Sequence, residues 1–196
     1  MTLILASGSR TRQLLLANAG LDFEVVPADI DERAAEAPLR EAGAPPEDVA
    51  LALAMTKAVS VSERRPGDLV IGADQVLDLD GERLTKPEDM EAARRQLLSL
   101  SGRTHQLHAA IACAQGGEVI WEHLETASLT VRKLEPGFVG RHLARAGPAV
   151  LGSVGAYQLE GPGIQLFERI EGEYFTILGL PLVPLLAFLR REGFVE

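Results

Sequence analysis

The chain has 196 residues, enough for one substantial core or at most two small lobes, and 46% hydrophobic with 24% charged residues excludes a disordered polymer. A formal charge of −9 excludes nonspecific binding to nucleic acid or to an anionic membrane surface, because both need a long-range positive field. Any phosphate site must therefore be a local basic cluster.

Leu3-Ile4-Leu5-Ala6 reads as a strand that runs through Ser7-Gly8-Ser9-Arg10-Thr11-Arg12 into the helical Gln13-Leu14-Leu15-Leu16-Ala17. A strand, a small-residue turn and a basic helix start suit an anion: first-turn N–H groups and the helix dipole favour phosphate, and Arg12 adds a bidentate donor. Ser9 is equally suited to a plain N-cap role. Gly20 ends this helix and Phe23 to Val26 makes a short strand, an α/β opening. Arg33 to Pro46, rich in Ala, Glu and Pro, reads as a mobile stretch, and Glu47 to Val61 has helical periodicity. Leu69-Val70-Ile71-Gly72-Ala73 is a buried strand that places Asp74 at its C-terminal end, where α/β sheets bind ligands.

Asp80-Gly81 signals a hairpin, and Pro87-Glu88-Asp89 opens a helix through Leu100. From His105 the alternation Leu107, Ala109, Ile111, Cys113 turns at Gly116-Gly117 and returns to Val131, which predicts a long antiparallel ribbon. Glu135 to Ala146 reads as a helix, Gly147 to Gly163 as a loop, Gln165 to Leu178 as a second hairpin around Glu171-Gly172, and Pro181 to Arg191 as a closing helix. The sum is a mixed α/β sheet with helices, bent into two lobes with a cleft. Cys113, the one cysteine, lies in an apolar run and fits a reducing cytoplasm. No signal peptide precedes Leu3, and the apolar tract Ile177 to Leu189 is too short to span a membrane and carries Pro181 and Pro184, so a soluble protein is expected.

Polar groups interrupt the apolar pattern at Arg12, Asp31-Glu32, Lys57, Asp74-Gln75, Lys86 and Glu160. An acid that ends a buried strand costs stability unless something uses or satisfies its charge, which singles out Asp74; capping the next turn is its structural alternative. Together these groups match what phosphoanhydride hydrolysis requires: cations over phosphate oxygens (Arg12, Lys57, Lys86), a carboxylate-held divalent metal, and a carboxylate that deprotonates water (Glu32 and Asp74). No Walker-type Gly-x-x-x-x-Gly-Lys-Ser/Thr is present, and His105, His108, His123 and His142 lack metal-binding spacing.

Leu5-Ala6-Ser7-Gly8-Ser9 with Arg12, Asp31-Glu32, Leu53 to Ala58, Ile71 to Val76, Lys86-Pro87, Leu100 to His105, Gly155-Ala156-Tyr157 with Glu160-Gly161, and Gly179-Leu180-Pro181-Leu182 together resemble the Maf family of nucleoside triphosphate pyrophosphatases, in order and over nearly the whole chain. The resemblance implies one ITPase-like domain over residues 1–196. It implies a nucleoside triphosphate substrate cleaved to monophosphate and pyrophosphate, a divalent cation (Mg2+ or Mn2+), and a cytoplasmic, often dimeric enzyme with no membrane or nucleic-acid partner. Carried over, Asp74 is the proton acceptor, Ser7, Arg12, Lys57 and Lys86 hold phosphates, and Glu32 with Asp74 serves the metal.

Thr11, Gln75 and Glu160 stand at the positions that separate substrate classes. The Asp-Gln pair and acidic Glu160 are similar to the branch acting on 7-methyl-GTP, whereas the dTTP and UTP branch typically has Asp-Thr and a glutamine. Thr11 departs from both branches, which usually carry tryptophan or arginine there, and Arg10 stands where proline is common. A nucleotidyltransferase, and a nucleotide-binding regulator of division with little turnover, are the other readings of the same residues.

Overall fold

A computed structural model describes residues 1–196. The strands are β1 (Leu3–Leu5), β2 (Glu24–Val25), β3 (Leu69–Leu79), β4 (Glu82–Leu84), β5 (Thr104–Gln115), β6 (Glu118–Val131) and β7 (Phe167–Glu171). The helices are α1 (Arg10–Asn18), α2 (Glu32–Glu41), α3 (Pro46–Ser62), α4 (Met90–Leu100), α5 (Pro136–Ala146), α6 (Tyr174–Ile177) and α7 (Leu182–Arg191). The sheet order is β2-β1-β3-β5-β6-β7, with β4 on β3; β1 pairs in parallel with β2 and β3, while β3–β4 and β6–β7 are antiparallel. This is the mixed α/β sheet that the alternating patterns predict. No helix is long and apolar enough to cross a membrane.

The chain divides into two compact units. The first holds Met1–Gln75, His108–Glu125 and Glu173–Glu196. One sheet face in this unit carries Leu3, Leu5, Leu69, Ile71, Ile111 and Cys113 against Leu15 and Leu16 of α1 and Leu185, Phe188 and Leu189 of α7. Ile4, Ala6 and Val70 on alternate residues pack with Val61 of α3, so period-two strands explain why both faces are apolar. Cys113 is free and buried, and burial pushes its thiol pKa upward, which makes it inert packing.

Gly72 decides how close α3 comes to β3. A Cβ there would lie 2.2 Å from the Ala54 carbonyl oxygen and 2.6 Å from the Ala58 nitrogen, so only glycine lets that turn of α3 rest on the strand.

The second unit holds Val76–Leu107 and Thr126–Gly172. Asp89 caps α4 through the Ala92 N–H at 2.6 Å, which starts the helix at Met90 rather than at Pro87. Buried His105 of β5 packs among Tyr157 and Phe167. Burial pulls its pKa from 6.5 to about 4, so between those values the unfolded chain takes up a proton that the folded chain refuses. Stability therefore falls as pH drops through this window, by up to about 3 kcal/mol. Thermal denaturation of the wild type should lose more between pH 7.5 and 4.5 than that of His105→Gln; equal losses would contradict this.

Three sequence expectations change. Arg33 to Pro46 is largely helical as α2, because the Asp31 carboxylate accepts from the Ala34 N–H at 3.1 Å and starts a helix that tolerates Pro38. The predicted hairpin over Gln165 to Leu178 does not form: β7 pairs with β6, and after left-handed Gly172 (φ 126°) the chain enters α6. Gly147 to Gly163 is not open loop throughout but contains short 3-10 turns at Pro148–Gly152 and Val154–Ala156.

Candidate active site

Asp74 is not at the end of its strand, as expected, but inside β3, which continues to Leu79. The parallel pairing with β1 nevertheless ends at Leu5↔Ile71, followed by the Ala6 N–H to Ile71 carbonyl bond of 2.8 Å. Asp74 therefore lies just past the carboxyl end of the parallel portion, where β1 gives way to the Ser7 turn, and the rule that α/β sheets bind ligands there still applies.

Three elements of the first unit bring charge together at Asp74. On α3 the buried stripe Ala50, Leu53, Ala54, Lys57, Ala58, Val61 includes a lysine at a core position, and the close approach at Gly72 carries its ammonium to the strand. Lys57 Nζ donates to Asp74 Oδ1 at 2.6 Å and lies 2.9 Å from Glu32 Oε1. The Lys57 and Asp74 side chains are each 10% exposed, whereas Glu32 is 51% exposed. Glu32 is the first residue of α2, and the Asp31 cap fixes it there. The adjacent acids thus divide their work, one holding the helix end and the other facing Lys57.

Arg12 forms the second group of contacts. Its Nε donates to the Gly179 carbonyl at 2.8 Å, and its Nη1 donates to the Ala73 carbonyl at 2.7 Å and to Ser7 Oγ at 3.2 Å. Gly179 has φ 85°, and a Cβ on it would lie 3.4 Å from Arg12 Nη2, so a glycine best fits this turn. Ser7 Oγ also accepts from the Ser9 N–H at 3.3 Å, which leaves the hydroxyl proton for an incoming acceptor. Ser9 in turn caps α1 through the Arg12 N–H, the structural role open to it on sequence.

Burial pushes the Asp74 pKa above the ordinary value, Lys57 and Arg12 pull it back, and Glu32 adds to the rise. Burial pulls Arg12 below its ordinary value, opposed by Asp74 and Glu32. The result is a desolvated carboxylate, more basic than a free one, flanked by two cations: the character of a general base.

Ser7, Arg12, Glu32, Lys57 and Asp74 are the expected residues that this cluster brings together. Thr11 is half-buried in the first turn of α1. Gln75 Nε2 donates to the Thr176 and Ile177 carbonyls, both at 3.0 Å, which ties β3 to α6 and leaves only Oε1 for a ligand. Lys86 and Glu160 are exposed side chains of the second unit. Sequence reasoning missed Gly72, the Ala73 carbonyl and Thr176. Only Gly72 left a signal, a glycine within a run of buried β-formers.

Two carboxylates that converge on one cationic nitrogen also suit Mg2+, which needs only one or two carboxylates when phosphate oxygens and water complete its shell. No group of three or more His, Cys, Asp or Glu side chains forms a metal cluster.

The family model for Maf-like proteins matches residues 2–192. A relative from Mesorhizobium japonicum, named 7-methyl-GTP pyrophosphatase, is 62% identical over 194 residues, covering 99% of this chain and 98% of that protein. A relative from Granulibacter bethesdensis, named nucleoside triphosphate pyrophosphatase, is 50% identical over 192 residues, covering 98% of each. Among solved structures, the Staphylococcus aureus Ham1 protein is similar over 67% of this chain and 72% of that one, with 18% identity and a TM-score of 0.45.

Proposed function

Because the chain belongs to the Maf-like protein family, we propose that it is a cytoplasmic nucleoside triphosphate pyrophosphatase, one domain that cleaves a triphosphate to the monophosphate and pyrophosphate. The observation that carries this reading is the buried Asp74 carboxylate, held at 2.6 Å by Lys57 beside Glu32 and the Arg12 guanidinium. Asp74 accepts a proton from water as its oxygen forms a bond to phosphorus; a bridging oxygen–phosphorus bond breaks, and pyrophosphate leaves with the electron pair. Lys57 and Arg12 neutralise charge on the phosphate oxygens and the Ser7 hydroxyl donates to one of them; the family resemblance assigns Lys86 to the phosphates as well. Glu32 and Asp74 would hold a divalent cation, whose chemistry is to shield the phosphate charge.

For the base, the reading is 7-methyl-GTP. Methylation at N7 makes guanine cationic and leaves its N1–H and exocyclic amine as donors, and Glu160 offers an exposed carboxylate to match. Gln75 contributes to the same choice, and Thr11 replaces the bulkier residue of both family branches with a small hydroxyl. Relatives named 7-methyl-GTP pyrophosphatase at 62% and 59% identity support this preference.

The test is pyrophosphate release from 7-methyl-GTP, GTP, ITP, dTTP and UTP with Mg2+ or Mn2+. The expected result is that 7-methyl-GTP has the highest kcat/KM and that Glu160→Gln lowers its advantage over UTP about tenfold, the scale of one lost charge-assisted contact. A lead for dTTP and UTP would overturn the base assignment while leaving the hydrolytic reading intact.

A further inference from the structure

We propose that the buried His105–Tyr157 pair is a positioning element that fixes the segment carrying Glu160 and so sets how strictly bases are discriminated. It rests on the assignment of Glu160 to base recognition given above. His105 Nε2 lies 2.7 Å from the Tyr157 hydroxyl, and the two side chains belong to residues 1% and 5% exposed. Phe167 closes the cluster, its ring 4.9 Å from that of Tyr157 and edge-on to it. The other ring nitrogen, His105 Nδ1, is buried without a partner. A pair of apolar residues would fill this space without leaving that nitrogen unsatisfied, so packing alone does not account for a histidine and a tyrosine here.

The backbone beside the pair is held in an unfavourable shape. Gly155 has φ 78° and Ala156 has φ 58°, and Ala156 adopts this left-handed conformation despite its Cβ and without a polar side chain to support it. A Cβ on Gly155 would lie 2.6 Å from Tyr157 Cε1 and 2.7 Å from Leu77 Cδ1. On the far side, a Cβ on Gly163 would lie 2.3 Å from the Gln158 carbonyl oxygen. The chain is thus closed against the tyrosine ring at one end and against its own backbone at the other. Between these ends Leu159 is buried and Glu160 is exposed, carried on the turn closed by the Gly161 N–H to Gln158 carbonyl bond of 3.2 Å. Strain in a segment that presents one exposed carboxylate is the expected mark of a site whose geometry is held for use. Burial keeps the His105 ring neutral, with a pKa of about 4, so the contact has one protonation state through the neutral range.

The experiment compares kcat/KM for 7-methyl-GTP and for UTP in four proteins: wild type, Tyr157→Phe, His105→Gln and Glu160→Gln. Tyr157→Phe removes only the hydroxyl and should lower the 7-methyl-GTP to UTP ratio about tenfold, mainly through KM for 7-methyl-GTP. His105→Gln, which keeps a group able to bond the hydroxyl, should hold the ratio within about threefold of wild type. A parallel fall of both substrates in Tyr157→Phe, or an unchanged ratio, marks a merely structural pair and overturns the proposal. If Glu160→Gln also leaves the ratio unchanged, the Glu160 assignment is what has failed; if Glu160→Gln shifts it and Tyr157→Phe does not, the positioning role alone has failed. Should Tyr157→Phe be too unstable to assay, equal ratios in His105→Leu and His105→Gln would overturn the proposal in the same way.

Discussion

Asp74→Asn is expected to fold and to lose about a thousandfold in kcat, the scale of removing a positioned general base, with KM changed by less than about threefold. The amide matches the carboxylate in shape, and its oxygen still accepts from Lys57 Nζ, which sits 2.6 Å from Asp74 Oδ1. On the proposed mechanism, what disappears is the proton acceptor and one of the two carboxylates toward the cation. Lys57, Arg12 and Ser7, the proposed phosphate ligands, stay in place, because their other contacts do not run through the lost charge. Circular dichroism and steady-state pyrophosphate release check this. Turnover within about threefold of wild type would remove Asp74 from the chemistry.

Lys57→Met should be strongly damaging to stability. The Lys57 and Asp74 side chains are each only 10% exposed, and removing one partner of such a pair leaves a desolvated charge, at a cost of about 3 kcal/mol. Glu32 contributes little to the loss because it is half exposed and rehydrates. The pH dependence has a definite sign. Burial already pushes Asp74 above the ordinary 3.8, and the missing ammonium raises it further, so the folded variant binds a proton that the unfolded chain releases. The deficit therefore grows as pH rises through the Asp74 pKa and shrinks in acid. Urea denaturation at pH 7 should show the deficit fall to under about 1 kcal/mol when Lys57→Met is placed in an Asp74→Asn background. Additive losses in the double variant would show that the two groups are not coupled.

Much of this site was legible in the sequence because charge is expensive in an apolar setting. Lys57 within a helical apolar stripe and Asp74 after five buried residues both broke a pattern, and the structure pairs them directly. The alternating run from His105 and the turn at Gly116-Gly117 gave the β5–β6 ribbon for the same reason, period-two burial with a glycine break.

What stayed hidden depended on contacts distant in the chain. Composition made Arg33 to Pro46 look mobile, yet a single cap at Asp31 starts α2 and fixes Glu32 against Lys57. Arg12 looked like a free phosphate ligand, but it is also a tie that holds β1, β3 and the Gly179 turn together through three hydrogen bonds. Gln75 likewise spends its amide N–H groups on α6. Such dual use is invisible in one dimension, since every partner but Ser7 lies 61 to 167 residues away. The predicted hairpin at Glu171-Gly172 failed because β6 offered β7 a longer antiparallel partner than Tyr174 to Ile177 did.

If the Glu32, Lys57, Asp74 and Arg12 cluster acts as proposed, a triphosphate breaks between its first and second phosphorus atoms. Chromatography of the products from 7-methyl-GTP and Mg2+, with pyrophosphate and orthophosphate assayed in parallel, reads which bond breaks. The expected products are one monophosphate and one pyrophosphate for each triphosphate consumed. A diphosphate with orthophosphate, or tight binding with no product, would contradict this.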